Sequence, residues 1–156
     1  MELEKYLSPD LLCLNIKEAN KDRVIADMVR LLCDVHRLDA AQEILKTVFV
    51  REQARSTGIG NGVAIPHART DLAKSIFLSF GRSRTGVEWG SMDRKPAHFI
   101  FLVVGPAKAS EEYLRVLADI SRLMTRSSVR NALLEVSSPA DVLRIMSETK
   151  PREKRN

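Results

Sequence analysis

The sequence predicts an α/β fold, an α/β/α sandwich in which a mixed β-sheet is flanked by helices. Three observations carry this. Apolar residues recur at helical spacing in two consecutive segments near the start and in three near the end. Between them lie stretches rich in aromatic and branched residues, and one of these, Ala97 to Val104 (AHFIFLVV), lacks alternation, as a strand buried on both faces does. The resulting order, β-α-α, several strands, then α-α-α, puts helices on both sides of a sheet.

The elements follow in turn. Leu11 to Ile16 (LLCLNI) is a short apolar run expected to be the first strand. Asn20 is placed to cap a helix whose residues Val24, Met28, Leu31, Leu32 and Val35 share one face. A second helix is expected from Asp39, with Gln42 as its capping-box partner and Ala41, Ile44, Leu45, Val48 and Phe49 as its stripe. Ile76 to Phe80 and Ala97 to Val104 read as strands, with a further short strand at Gly86 to Trp89 and a turn from Gly90 to Lys95 between them. Gly105-Pro106 is expected to end the buried strand. Ser110 should cap a long helix with Tyr113, Val116, Leu117, Ile120, Leu123 and Met124 on one face. Ser127-Ser128 starts a shorter helix, and Ser138-Pro139 pairs an N-cap with proline at the first helical position.

At 156 residues, 44% hydrophobic and 29% charged, the chain has the dimensions of one globular domain, expected over residues 1–149. Its longest unbroken apolar run, Phe99 to Val104, is far short of the roughly 20 residues a membrane span needs. The opening MELEKYLSPD lacks the apolar core of a secretory signal, and Cys13 and Cys33 have no CxxC spacing. A reducing, cytoplasmic setting is expected. The formal charge of +5 is concentrated at the end. Lys150 to Asn156 holds four bases and one acid and is expected to be a disordered, solvated tail over 150–156. Aromatics at 5% leave few stacking platforms, so no nucleic-acid partner is expected.

The chemistry concentrates in one segment. Ser56-Thr57-Gly58-Ile59-Gly60-Asn61-Gly62 holds three of the seven glycines. Such a stretch can take positive φ angles, either as a plain turn or as a nest whose N–H groups converge on an anion. It is no nucleotide loop: a Gly-Lys-Ser/Thr ending is missing, and Val63 stands where GxGxxG needs glycine. Val63-Ala64-Ile65-Pro66-His67 then sets a histidine directly after a proline, on stiffened backbone suited to a nucleophile. Upstream, Arg51 and Glu52 continue the second helix's apolar stripe. Charges there fit either a final turn reaching solvent or a role in which Arg51 grips a phosphoryl group with its forked donors. Glu52 would then hold Arg51 or buttress the loop. The candidates are His67 as the catalytic residue, with Arg51, Ser56, Thr57, Gly58, Gly60 and Gly62 binding phosphate.

Arg51-Glu52, Ser56-Thr57-Gly58-Ile59-Gly60-Asn61-Gly62 and Val63-Ala64-Ile65-Pro66-His67 together closely resemble the active-site signature of the mannitol/fructose-type enzyme IIA domains of the bacterial sugar phosphotransferase system. That class includes the nitrogen-regulatory IIA proteins. The likeness continues through Gly86-Val87-Glu88-Trp89-Gly90, the run from Lys95 to Val104, and Leu114-x-x-Leu117. It implies a IIA-type mixed sheet between helices and a phosphohistidine at His67, with no cofactor. It also implies partners: an HPr-type phosphocarrier as donor and an enzyme IIB, or a regulatory target protein, as recipient. One departure stands out. Sugar-relaying members usually carry a second histidine at the start of the helix after the buried strand, where this chain has Tyr113. Tyrosine can donate a hydrogen bond to a phosphoryl oxygen but cannot become a cation, and it equally fits core packing. Arg69 and Arg115 are the candidates for a replacement cation.

The remaining signals are weak. His36, at the end of the first helix, suits the helix dipole as a cation. His98 opens the buried strand and is expected to be partly buried and hydrogen-bonded. With Cys13 and Cys33 far off, the histidines form no zinc spacing, so no metal is expected.

Overall fold

The structure, a computed structural model, describes residues 3–108 and 110–148. The expected tail over 150–156 lies outside the described residues. Among the described residues, after two short 3-10 helices (Leu3–Tyr6 and Pro9–Leu11), five α-helices and six strands follow one another as β1 (Leu12–Cys13), α1 (Lys21–His36), α2 (Ala41–Ala54), β2 (Gly58–Gly60), β3 (Val63–Ala64), β4 (His67–Thr70), β5 (Phe77–Val87), β6 (Ala97–Pro106), α3 (Glu111–Met124), α4 (Ser127–Glu135) and α5 (Pro139–Glu148). The sheet runs β1-β5-β6-β3-β2, and β4 also pairs with β6. It is mixed, as expected: β1 is parallel to β5, β3 and β4 are parallel to β6, and β5 is antiparallel to β6.

The central strand β6 explains its own unbroken hydrophobicity. Phe99, Phe101 and Val103 pack into a core with α3, α4 and α5, while Ile100, Leu102 and Val104 pack into a second core with α1 and α2. Each face of the strand meets a helical layer, which is why Phe99 to Val104 is apolar without a break.

Three predicted caps form. Asn20 accepts from the Arg23 N–H at 3.1 Å, Ser110 from Tyr113 at 3.1 Å and Ser138 from Asp141 at 3.2 Å. The second helix departs from expectation, because it starts at Ala41 with Ala40 at the cap position and no capping side chain. Arg37 turns left-handed (φ 54°) and the Leu38 N–H closes on the Cys33 carbonyl at 2.8 Å. That reversal takes the chain past Asp39 before α2 can begin. Three strand boundaries also move. β1 is only Leu12–Cys13; the short strand expected at Gly86 to Trp89 is absorbed into β5, which runs to Val87; and β6 passes through Gly105 to Pro106. Pairing across β6 sustains both long strands, and Pro106 is tolerated because it is the last residue of its strand.

Candidate active site

His67 is the first residue of β4, and its position follows from Pro66. β3 and β4 lie end to end along the same edge of β6, Val63 beside Phe99 and His67 beside Val103. Between them the chain steps out of the ladder. Pro66 has no N–H to give, and the Ile65 N–H turns to the Thr57 carbonyl at 3.1 Å. The Ile65 carbonyl accepts a hydrogen bond of 2.6 Å from His67 Nδ1. Since a carbonyl only accepts, Nδ1 carries the proton and Nε2 holds the lone pair of the neutral ring. The ring is half-buried. Burial pushes its pKa below the ordinary imidazole range; the Ile65 bond opposes that shift, the Arg51 and Arg69 cations add to it, and Glu52 counters them. The imidazole is therefore neutral at pH 7.

His67 opens on a cleft of about 430 Å³ that it shares with Arg51, Ser56, Thr57 and Gly58. Arg51 comes from the last turn of α2 and donates from Nη1 to the Arg55 carbonyl at 2.9 Å, which ties it to the helix end. Glu52 points the other way, into the protein. Its carboxylate accepts from the Thr57 N–H at 2.9 Å and the Thr57 hydroxyl at 2.6 Å, and pairs with Lys21 Nζ at 2.7 Å. Lys21 Nζ also donates to the Trp89 carbonyl at 3.0 Å and lies 5.2 Å from the centroid of the Trp89 ring. Ser56 Oγ donates to that same carbonyl at 2.9 Å, and the indole N–H of Trp89 donates to Thr57 Oγ1 at 3.2 Å. Of the two expected roles for Glu52, the geometry is that of a buttress. Ser56 and Thr57 line the cleft, but their hydroxyl protons are committed to internal acceptors.

The glycines divide. Gly58 lines the cleft, and a Cβ there would fall 2.0 Å from Ser91 Oγ, so only glycine fits. Gly60, Asn61 and Gly62 form the tip of the β2–β3 hairpin with φ of 88°, 57° and 75°. The Asn61 N–H goes to the Asp93 carboxylate at 3.0 Å and the Gly58 N–H to Ser56 Oγ at 3.2 Å. Gly60 and Gly62, expected to bind phosphate, are not among the residues that line the cleft. They turn the hairpin away from the cleft, toward Asp93 and His98.

The family model described as "Phosphoenolpyruvate-dependent sugar phosphotransferase system, EIIA 2" matches residues 5–149. The chain belongs to this EIIA family. It is 34% identical to the fructose-specific EIIA component of Haloferax volcanii over 89% of this chain and 90% of that protein. It is likewise 34% identical to the fructose-specific EIIABC component of Bacillus subtilis, matching 95% of this chain but spanning only 23% of that longer protein. A nitrogen regulatory protein of Pseudomonas aeruginosa is 31% identical over 85% of this chain and 86% of its own. Among solved structures, the nitrogen regulatory protein IIA-Ntr of Neisseria meningitidis superposes with a TM-score of 0.86 at 30% identity, covering 92% of this chain and 98% of that one. Mannitol IIA of Escherichia coli, at 20% identity and a TM-score of 0.77 over 90% of this chain and 98% of that one, shares the fold.

In this EIIA chain Tyr113 stands in the first turn of α3, 3% exposed, its ring edge-on to His67 with centroids 6.4 Å apart. Its hydroxyl is buried without a hydrogen-bond partner. Burial pushes its pKa up to about 12, against the pull of Arg69 and Arg51. Arg69 lies with its guanidinium 6.0 Å from the Tyr113 ring centroid, whereas Arg115 is exposed on α3 and makes no hydrogen bond or ion pair with the described residues. The other histidines sit elsewhere. His98 Nδ1 donates to the Ser83 carbonyl at 2.8 Å, as expected of a partly buried strand residue. His36 is not the expected helix-end cation: its ring packs 4.4 Å from Phe77, Nε2 is buried without a partner, and burial lowers its pKa. Among the described residues no cluster of His, Cys, Asp and Glu could hold a metal, and no helix is long and apolar enough to cross a membrane.

Lys21, Ser91 and Met92 carry no signal in the sequence, and Trp89 was expected only as part of a short strand, not as a partner of Lys21 and Thr57. Trp89, the only tryptophan, was a usable signal. Lys21 follows a helix cap and looks like any surface lysine until α1 is laid beside α2.

Proposed function

We propose that this chain is a phosphoryl-carrying EIIA component in which His67 Nε2 takes a phosphoryl group from the phosphohistidine of an HPr-type carrier and passes it to an enzyme IIB. The folded EIIA unit in this reading spans residues 1–149. The observation that carries it is the 2.6 Å bond from His67 Nδ1 to the Ile65 carbonyl, which leaves Nε2 as the one nucleophilic nitrogen, beside the Arg51 cleft. The carrier's N–P bond breaks as the Nε2–P bond forms, and the carrier's imidazole departs. Arg51 balances charge on the transferring group, and the Glu52–Thr57 contacts hold the loop rigid. Ile59 and Met92, 50% and 86% exposed at the cleft, supply an apolar landing for a protein donor.

A nitrogen-regulatory role is the second reading, favoured by Tyr113 standing where the resemblance leads one to expect a second histidine. His67 would then charge readily and discharge slowly, and its phosphorylation would switch the charge of a docking face.

The test is incubation with phosphoenolpyruvate, enzyme I and HPr, followed by intact-mass measurement. One acid-labile, base-stable phosphoryl group is expected, lost in His67→Ala and kept in His36→Ala and His98→Ala. Wild-type labelling of His67→Ala would refute the assignment. Arg51→Lys keeps the charge but not the fork, and should slow labelling by about one to two decades, or about 1.5–3 kcal/mol. Fast transfer from the wild-type protein to a IIB cysteine, insensitive to Tyr113→His, would exclude the regulatory reading.

A further inference from the structure

We infer that Arg69 and Tyr113 form a second phosphoryl-binding element beside His67, separate from Arg51, in which Arg69 supplies the cation and the Tyr113 hydroxyl a hydrogen bond. The inference rests on the reading of His67 as the phosphorylated residue.

Three observations support it. His67 and Arg69 alternate by two along β4, so their side chains leave the same face of the strand, roughly 6.5 Å apart at the backbone. An arginine reaches that far. Next, Arg69 is exposed and makes no ion pair with any described residue, yet it is not loose, since its guanidinium lies 6.0 Å from the Tyr113 ring centroid. The ring itself is seated by backbone. Arg69 pairs with Gly105 across β4 and β6, and a Cβ on Gly105 would come within 2.6 Å of Tyr113 Cδ2. Glycine at 105 thus lets the ring lie on the very strand pair that carries Arg69.

The third observation is the Tyr113 hydroxyl. It is buried in a residue 3% exposed and has no partner, so it is a donor aimed at nothing the protein itself provides. A phosphoryl group on His67 brings three acceptor oxygens and a double negative charge into this neighbourhood. The phenol keeps its proton throughout the working pH range, as its raised pKa requires, and so has an O–H to donate to a phosphoryl oxygen. A cation and a neutral donor with no other occupation, both within reach of the nucleophilic ring, make a matching pair for a phosphoryl dianion.

Phosphoramidate provides a test that needs no protein partner: its N–P bond breaks to release ammonia as the His67 N–P bond forms. Wild type, Arg69→Ala, Arg69→Lys and Tyr113→Phe would be labelled, with His67→Ala as the control. Intact mass would give the rate and ³¹P NMR the titration of the attached group. Labelling of Arg69→Ala should slow by tenfold or more, with partial recovery in Arg69→Lys. Tyr113→Phe should slow it by on the order of threefold, as one neutral hydrogen bond permits. In both Arg69→Ala and Tyr113→Phe the phosphoryl titration should move to higher pH, a change that a purely structural residue would not cause. Wild-type rates with an unmoved ³¹P titration in both variants would overturn the inference while leaving His67 intact. A wild-type protein that takes no label at His67 would instead overturn the reading beneath it.

Discussion

Lys21→Met tests the buried network behind the Ser56–Thr57 segment of the candidate site. In the wild type, Lys21 Nζ meets Glu52 at 2.7 Å and the Trp89 carbonyl at 3.0 Å, with the two side chains 23% and 5% exposed. Removing one member of a buried pair leaves the other charge without its counter-ion, which costs about 3–5 kcal/mol when both are fully enclosed. Lys21 is partly open to water, so screening lowers the expected loss to about 2–3 kcal/mol. For a chain of this length that is a fall in Tm of roughly 4–12 °C. Adding Glu52→Gln removes the stranded charge while keeping an oxygen for the Thr57 N–H. The double variant should therefore recover about 1 kcal/mol relative to Lys21→Met alone. Urea unfolding followed by fluorescence is well suited, because Trp89 is the only tryptophan, is 1% exposed and bonds directly to Thr57. A Lys21→Met loss below about 0.5 kcal/mol, or strict additivity in the double variant, would refute a coupled ion pair beneath the loop.

Burial lowers the folded pKa of both His36 and His67, so the stability tied to each is complete above the unfolded imidazole value, roughly pH 6.5, and is lost as pH falls below it toward the folded value. His36→Phe removes an unpartnered nitrogen beside Phe77 and should flatten the decline between pH 7 and 5; an unchanged slope in a pH series of urea melts would count against it. Gly105→Ala should cost about 1–3 kcal/mol by pushing the Tyr113 ring off its seat, and thermal melts of that variant matching wild type would disprove the packing. Arg82, 1% exposed, donates to the carbonyls of Leu14, Leu133 and Val136. Arg82→Met should cost about 3–4 kcal/mol, because the Leu133 and Val136 carbonyls at the end of α4 and the Leu14 carbonyl after β1 would lose this donor, which calorimetry can measure.

Much of this protein was legible in its residues. The period of the helices, their polar caps at Asn20, Ser110 and Ser138, and the doubly buried β6 are local patterns, each set by backbone hydrogen-bonding and by which faces must leave water. The Ser56 to His67 segment marked itself as the candidate site by its residue types and by its resemblance to a IIA signature, since the proline, the glycines and the histidine each impose their own constraint on the chain. What the sequence could not reveal were the relations between distant segments. That Val63–Thr70 becomes two short strands depends on β6, some 35 residues on, offering an edge to pair with. Gly58 and the two later glycines look alike in sequence, yet the first lies against Ser91 in the cleft and the others turn a hairpin, because pairing register separates them. Lys21 becomes the counter-ion of Glu52 only when α1 packs on α2 and brings residues 31 positions apart to 2.7 Å. Arg69 and Arg115 are equal candidates for a cation in the sequence, and only α3, by laying Tyr113 over Gly105, sets Arg69 apart. Local propensity is written in neighbouring residues, whereas electrostatic pairing depends on distance in space, and only the packed sheet and its helices determine that distance.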